Sequence, residues 1–199
     1  VSLVRQQRAY AQLQSVGQEM RAMAFNDPLT GLANRRLLTD RLQQALAASG
    51  RNGQWGAVLF LDLDHFKTLN DTQGHDVGDQ LLQQVARRLV GAAGAGDTVA
   101  RLGGDEFVVM LETLGASDAE AALHAEVLAE RVREQIARPY AIPRLAHLAG
   151  GYHISRSIGV ALFQGGAEPV DVLLKQADMA LYQAKDAGRN AIRFFNPAM

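Results

Sequence analysis

The stretch RLGGDEFVVM, from Arg101 to Met110, carries the clearest structural signal in the sequence. It reads as a strand, a two-glycine turn, an acidic pair and a second strand, which together predict a β-hairpin with Gly103 and Gly104 at its tip. Glycine lets a backbone approach a bulky ligand and adopt torsion angles that other residues resist. Asp105 and Glu106 are adjacent carboxylates, which are costly unless they are solvated or paired with a cation. The hairpin therefore predicts a site for a metal-bound phosphate.

The composition limits the kind of protein this can be. A chain of 199 residues, 48% of them hydrophobic, is long enough for one sizeable core. Its formal net charge of -1 provides no basic field for nucleic acid or an anionic membrane, and the absence of cysteine excludes disulfides and thiolate metal sites. No apolar run approaches the roughly 20 residues that span a bilayer, and no signal-peptide pattern is present. We expect a soluble, cytoplasmic chain that can belong to a larger, membrane-attached protein.

Residues 1–25 carry a heptad pattern. Asn26, Asp27 and Pro28 end this pattern, which predicts a helical linker over 1–25 and a globular domain over 26–199. Such a short seam fits either a dimerising coiled-coil stalk or a single helix that lies on its own domain. The seam consists of Leu3, Tyr10, Leu13, Gly17, Met20 and Ala24.

Apolar periodicity in the remaining chain predicts alternating helices and strands. Ser117 and Glu120 form a capping box for the third helix. Because a hairpin is antiparallel, we expect an α/β (α+β) fold with a mixed, mostly antiparallel central sheet flanked by helices. The predicted helices cover 35–48, 78–90, 117–138 and 171–187, and the predicted strands cover 57–63, 99–102, 107–111, 154–163 and 191–195.

Two acidic residues lie at the end of the most apolar strand. Asp62 and Asp64, two apart, are expected to project from the same face. If this strand lies beside the hairpin tip, Asp62, Asp105 and Glu106 form an all-oxygen cluster, the ligand set of Mg²⁺ or Mn²⁺. Divalent ions that bridge to phosphate oxygens would cancel the repulsion between the carboxylates. The simpler alternative is that the Asp-x-Asp pair caps a following helix.

Two further segments carry residues suited to a nucleotide. The segment from His65 to Asp79 offers backbone amides at a helix start, near Lys67, where phosphates bind well. An asparagine together with a carboxylate can read the polar edge of guanine. Taken alone, Asp79 is equally typical of a helix N-cap or first turn. Lys185 and Arg189 close the last helix, a position where basic residues commonly interact with the helix dipole.

These segments resemble the motifs of GGDEF domains, the diguanylate cyclases that condense two GTP into cyclic di-GMP. The resemblance covers about residues 26–195 through five motifs in the same order. It implies a palm-like nucleotide cyclase fold, and a reaction in which the 3′-hydroxyl of one GTP attacks the α-phosphate of the other and two pyrophosphates leave. Since each domain holds one GTP, a homodimer is required. The motifs are DPLTGLANRR (27–36), DLD (62–64), HFKTLNDTQGHDVGD (65–79), RLGGDEF (101–107) and YQAKDAGRN (182–190).

The resemblance also implies roles for individual residues. Asp105 would be the catalytic base or a metal ligand, and Lys67 would assist catalysis. Asp62, Glu106 and the carbonyl of Leu63 would complete the metal site. The residues expected to bind the substrate are Asn70, His75 and Asp79 at guanine, Lys185 and Arg189 at the triphosphate, and His65, Phe66, Lys67, Gly103 and Gly104 beside it.

One position departs from the family pattern. Many relatives carry an Arg-x-x-Asp that binds the product and inhibits the enzyme. Here Gly94 stands at the arginine position and only Asp97 remains. We therefore expect no product inhibition through that site.

Two alternative functions stay open at this point. The chain could be a catalytically silent GTP-binding regulatory domain of a cyclic di-GMP phosphodiesterase, since its ending, FFNPAM, resembles the junction before an EAL domain. A sensory domain upstream and an EAL domain downstream would then be its neighbours. The chain could also be a protein-interaction domain that uses only the heptad helix.

Overall fold

The structure, a computed structural model, describes residues 7, 10, 12, 14, 23–166 and 168–197. Its core is a five-stranded sheet with helices on both faces. The helices are α1 (Arg35–Asn52), α2 (Phe66–Gln73), α3 (His75–Ala92), α4 (Asp118–Ala137) and α5 (Val170–Asp186), with a short 3-10 turn at Pro143–Leu145. The strands are β1 (Gly56–Leu63), β2 (Thr98–Gly103), β3 (Glu106–Leu111), β4 (Arg156–Phe163) and β5 (Ile192–Phe194).

The strand order is β2-β3-β1-β4-β5. All neighbours are antiparallel except β4 and β5, which are parallel. β1 lies in the middle and is buried on both faces, as its nearly continuous apolar sequence predicts. The prediction of a mixed, mostly antiparallel sheet flanked by helices is confirmed.

Side chains of β1 divide between two core layers. Leu59 and Leu61 join the layer under α3 and α4, whereas Val58 and Phe60 join the layer under α1 and α5. This alternation follows from the two-residue period of a strand. Since both faces are apolar, the register of β1 is strongly specified.

The approach of α5 to the sheet depends on Gly159 in β4. A Cβ at this position would lie 2.1 Å from the carbonyl oxygen of Ala177 and 2.2 Å from the backbone nitrogen of Leu181. Backbone atoms of a helix cannot yield as a flexible side chain can. Glycine at this position therefore permits α5 to lie directly on β4.

Several boundaries differ from the sequence predictions. Helix α1 continues through Ser49, which was predicted as loop, and ends where Gly53 adopts a φ of 70°. Helix α2 was not predicted, because it is short and buries only Phe66 and Leu69. Helix α3 begins at His75, three residues before the predicted start, and only Gly74, with a φ of 91°, separates it from α2. Strand β4 begins at Arg156 rather than Ile154.

The predicted capping box is confirmed at one of its two bonds. The Ser117 hydroxyl accepts from the backbone N–H of Glu120 at 3.2 Å. The Glu120 carboxylate accepts from the backbone N–H of Ala116 at 3.1 Å instead of from Ser117. The start of α4 is therefore fixed by local polar contacts.

The heptad seam lies mostly outside the described residues, including Leu3, Leu13, Gly17 and Met20. A helical linker over 1–25 therefore stays a prediction. Within the described part of the chain, no helix combines the length and apolar character needed to cross a bilayer.

We predict that Gly159→Ala lowers the free energy of unfolding by about 3 kcal/mol, because the new methyl group would press on the α5 backbone. The matched control is Gly91→Ala in α3, where the added Cβ meets nothing within 4 Å. This control should leave stability unchanged or raise it by up to about 1 kcal/mol, since alanine is the better helix former. Urea denaturation measures both; equal stability of the two variants would contradict the packing argument.

Candidate active site

The register of β1 and β3 brings two acidic residues together. Asp62, at the end of β1, pairs directly with Glu106, the first residue of β3. Residues directly opposite in an antiparallel pair have Cβ atoms about 5 Å apart. The hairpin tip is tight, because Gly103 already pairs with Glu106 and both glycines adopt positive φ, 142° at Gly103 and 51° at Gly104. The turn thus leaves Asp105 beside the same strand end.

The end of α5 supplies a cation to this cluster. The Nζ atom of Lys185 lies 2.9 Å from Oδ2 of Asp62. Burial, and then the adjacent Asp62 carboxylate, raise the pKa of Asp105 to about 6, although Lys185 opposes the rise. The alternative that Lys185 interacts only with the helix dipole is therefore incomplete, because its ammonium group also pairs with a carboxylate on β1.

The donor set fits a divalent cation. Asp62, Asp105 and Glu106 offer only oxygen ligands, as Mg²⁺ and Mn²⁺ prefer. Burial and the adjacent Asp62 carboxylate keep the pKa of Asp105 raised although Lys185 lowers it, so a further cation would be stabilised there. Within the described ranges, the acidic and histidine side chains form no group of three or more already arranged to hold a metal ion. The Asp62 carboxylate instead contacts Lys185.

An ion pair between Arg101 and Asp27, which was not predicted from the sequence, supports the hairpin tip. Arg101 donates from Nε and Nη2 to the carbonyl oxygen of Gly104, at 3.0 and 2.8 Å, and from Nη1 to Oδ1 of Asp27 at 2.8 Å. Burial raises the pKa of Asp27, but hydrogen bonds from Thr30 and Arg101 together outweigh it, so the pKa lies below its ordinary value. The DPLTGLANRR segment therefore supports the turn that carries Asp105. The only sequence signal for this contact is that one motif contains an arginine, Arg101, and another contains an aspartate, Asp27.

Asn70 packs against the start of α3. A Cβ on Gly78 would lie 1.9 Å from Oδ1 of Asn70 and 3.1 Å from the ring of Phe66. Glycine at position 78 thus makes room for the Asn70 side chain. The Oδ1 atom is buried and has no hydrogen-bond partner among the described residues. Phe66 itself lies in the core, so only its backbone is available to a ligand.

Seven of the other residues predicted to bind the substrate are exposed. No hydrogen bond or ion pair joins their side chains to Asp62, Asp105 or Glu106 within residues 23–166 and 168–197. Asp79 lies in the fifth position of α3, so it is not an N-cap, and Asp76 is the first-turn acid. The exposed residues are His65, Lys67, His75, Asp79, Gly103, Gly104 and Arg189, and the backbone of the buried Leu63 ends β1.

Asp64 differs from Asp62 in its surroundings. The residue is 3% exposed, and its carboxylate accepts hydrogen bonds from Ser155 and Ser157. It does not cap α2, whose N-cap is His65 with no side-chain cap bond. The helix-cap alternative for the Asp-x-Asp pair is therefore wrong.

Comparisons with known proteins agree on one family. Residues 24–191 match the family described as "Diguanylate cyclase, GGDEF domain". The chain is 44% identical over 187 residues to the bifunctional diguanylate cyclase/cyclic di-GMP phosphodiesterase MucR of Pseudomonas aeruginosa, covering 94% of this chain and 26% of MucR. It is 38% identical over 171 residues to the response regulator PleD of Caulobacter vibrioides, covering 85% and 36%. The chain thus spans about a quarter to a third of the length of these two relatives.

A solved structure shares the fold over nearly the whole chain. The coiled coil and GGDEF domain of DgcB from Caulobacter crescentus, in complex with c-di-GMP, has a TM-score of 0.83 and 29% identity and covers 96% of both chains. The fold and the sequence of the acidic hairpin are therefore those of a domain of cyclic di-GMP signalling. This chain belongs to the GGDEF family of diguanylate cyclases.

The raised pKa of Asp105 predicts a pH-dependent effect on stability. Its folded-state pKa, about 6, exceeds the ordinary value of 3.8, so ionisation of Asp105 costs stability as pH rises between these values. Asp105→Asn should therefore stabilise the metal-free protein at pH 7, by roughly 1 kcal/mol after allowance for solvent screening, and have little effect near pH 4.

Urea denaturation in the absence of divalent ions checks this at both pH values. Asp178→Asn, an exposed substitution on α5, is the control and should change little at either pH. If Asp105→Asn is less stable than the wild type at pH 7, burial and the Asp62 carboxylate do not destabilise ionised Asp105 as we expect.

Proposed function

We propose that this domain condenses two GTP molecules into cyclic di-GMP and two pyrophosphates, with Mg²⁺ or Mn²⁺, across a homodimer. The observation that carries the proposal is the pairing of Asp62 with Glu106, beside Asp105 and the Lys185 ammonium. Acidic and basic groups at one strand end suit the transfer of a nucleotidyl group. Family membership supports the same activity.

A divalent cation would be held by Asp62, Glu106 and the Leu63 carbonyl. When bound, it would neutralise charge on the triphosphate and polarise the α-phosphate. Asp105 has a pKa of about 6, so near neutral pH it can accept a proton from an attacking hydroxyl. It is therefore our candidate general base or additional metal ligand.

Basic groups and backbone amides would hold the phosphates. Lys185 lies in the last turn of α5 and Arg189 in the turn that follows it, and Lys67 lies in the first turn of α2, whose N-terminus attracts anions. His65 and Phe66 would contribute their backbones at this helix start. The positive φ of Gly103 and Gly104 suits close approach of the hairpin backbone to the nucleotide.

The α2–α3 junction would bind guanine. Asn70, His75 and Asp79 lie in these two helices, and Gly78 leaves room for the Asn70 side chain. An amide and a carboxylate can pair with the carbonyl, ring N–H and amino groups of guanine. This arrangement is our candidate base-recognition site.

Each domain would supply one half of the reaction. The 3′-oxygen of one GTP forms a bond to the α-phosphorus of the other, the bond to the β-phosphate oxygen breaks, and pyrophosphate leaves with that electron pair. A second such step closes the ring. Two domains must therefore face each other. We include in this proposal the helical linker over residues 1–25 as a dimerising element.

The silent GTP-binding alternative is less well supported, because the hairpin keeps both Asp105 and Glu106, Glu106 lies opposite Asp62 in the sheet, and Asp62 pairs with Lys185. The interaction-domain alternative leaves this cluster unused. The relative NbdA of Pseudomonas aeruginosa, 38% identical over 185 residues, is named a cyclic di-GMP phosphodiesterase, so not every relative is named for cyclase activity.

We predict that Glu106→Gln reduces cyclic di-GMP formation on the order of 10² to 10³-fold, because a group that supports charge in the transition state is lost. Purified protein, GTP and Mg²⁺ are incubated, and the nucleotides are separated by chromatography. The control is Glu112→Gln, an exposed residue beyond the far end of β3. For the wild type, the rate per chain should rise with protein concentration as dimers form. Equal turnover by the wild type and the position-106 variant would refute the proposed function.

We predict no tight inhibition by cyclic di-GMP through Asp97. Its carboxylate accepts from the backbone N–H of Gly94 at 2.6 Å, so the residue at the family's arginine position supplies only a backbone donor. Initial rates with added cyclic di-GMP should be the same for the wild type and Asp97→Ala. Inhibition that is lost in this variant would contradict the prediction and indicate that Arg41 and Arg51, which line the neighbouring groove, replace the missing arginine.

A further inference from the structure

The buried carboxylate of Asp64 has no role in the reaction proposed above. It lies two residues after Asp62 and is 3% exposed. Its Oδ1 accepts from the Ser157 hydroxyl at 2.9 Å, and its Oδ2 accepts from the Ser155 hydroxyl at 2.7 Å and from the backbone N–H of Asn190 at 3.2 Å. A buried charge must be hydrogen-bonded, and these three bonds meet that need.

Asn190, which donates one of these bonds, lies in a strained turn. Gly188, Arg189 and Asn190 follow α5 with φ values of 103°, 64° and 46°. Non-glycine residues in the left-handed region are strained and persist only where the surroundings hold them. Such strain commonly occurs at ligand-binding positions.

Contacts from separate elements hold this turn. Asp64 accepts the Asn190 N–H, and Nη1 of Arg133 on α4 donates to Oδ1 of Asn190 at 3.3 Å. The N–H of Arg189 donates to the carbonyl of Ala184 inside α5 at 3.1 Å. The Arg189 side chain itself is exposed, so the turn fixes its backbone and leaves its guanidinium free to meet a ligand.

We propose that Asp64 is a positioning residue for the triphosphate: it holds the Gly188–Asn190 turn so that Arg189 faces the same strand end as Asp62. The inference rests on the proposed function, in which Arg189 binds phosphate. Two residues of one short segment would then have different roles. Asp62 would bind the metal ion, and Asp64 would position the turn that carries Arg189. Asp64 does not touch the nucleotide and acts only through Asn190 and its neighbour.

The test uses Asp64→Asn, which keeps the shape but offers one acceptor oxygen in place of two. Binding of 3′-deoxy-GTP, which cannot attack a second nucleotide, is compared with binding of GMP. The variant should bind 3′-deoxy-GTP about tenfold more weakly, and GMP within about twofold of wild type, because only phosphates beyond the first reach the turn. Asp178→Asn on α5, the helix that precedes the turn, is the matched control because Asp178 is exposed.

A double-variant cycle separates positioning from general damage. Arg189→Ala should weaken 3′-deoxy-GTP binding to a similar degree, and the Asp64→Asn/Arg189→Ala pair should bind no more than about twofold more weakly than Arg189→Ala alone. Additive losses, or equal losses for 3′-deoxy-GTP and GMP, would overturn the inference. If Asp64→Asn does not fold, Ser155→Ala removes one donor to the same carboxylate and should show the same pattern at about threefold.

Hydrogen exchange distinguishes this inference from the proposed function. Amides over residues 186–191 should exchange faster in Asp64→Asn than in wild type and be unchanged in Asp178→Asn. If the wild type binds 3′-deoxy-GTP but Asp64→Asn changes neither exchange nor affinity, the inference is wrong. If the wild type does not bind 3′-deoxy-GTP while exchange still increases in the variant, the proposed function is wrong and the role of Asp64 in holding the turn stands.

Discussion

Antiparallel pairing of β1 with β3 determines which carboxylates meet. Asp62 lies opposite Glu106 because residues such as Leu59 and Phe60 bury opposite faces of β1 under different helices. A slip of one residue would turn every side chain of the strand to the other face and expose this apolar set. The packing of the core thus fixes the geometry of the acidic site, although no core side chain belongs to it.

The basic half of the site depends on a second constraint. Gly159 allows the α5 backbone to rest on β4, and Lys185 lies one turn beyond Leu181, whose backbone is in that contact. The ammonium group therefore reaches Asp62 from the neighbouring element. Helix packing and strand pairing meet at the end of β1, which explains why residues far apart in sequence converge there.

Sequence reasoning predicted the sheet, four of the helices and the hairpin, because long apolar periods and turn residues are local signals. It missed α2, whose polar sequence buries only Phe66 and Leu69. It also missed the link from Arg101 to Asp27 and the bonds of Asp64, since these join positions 74 and 91 or more residues apart. The acidic residues were chosen from the motif, but the Asp62–Lys185 pair depends on tertiary packing that no local pattern encodes.

The ion pair between Lys185 and Asp62 has a consequence for ligand loading. By pairing with Asp62, the Lys185 ammonium group partly balances the negative charge at this strand end. Under the proposed function, a cation that binds Asp62 would release Lys185, and the released lysine would pair with a phosphate of the nucleotide. Metal and nucleotide affinities would then be thermodynamically linked, each ligand raising the affinity for the other.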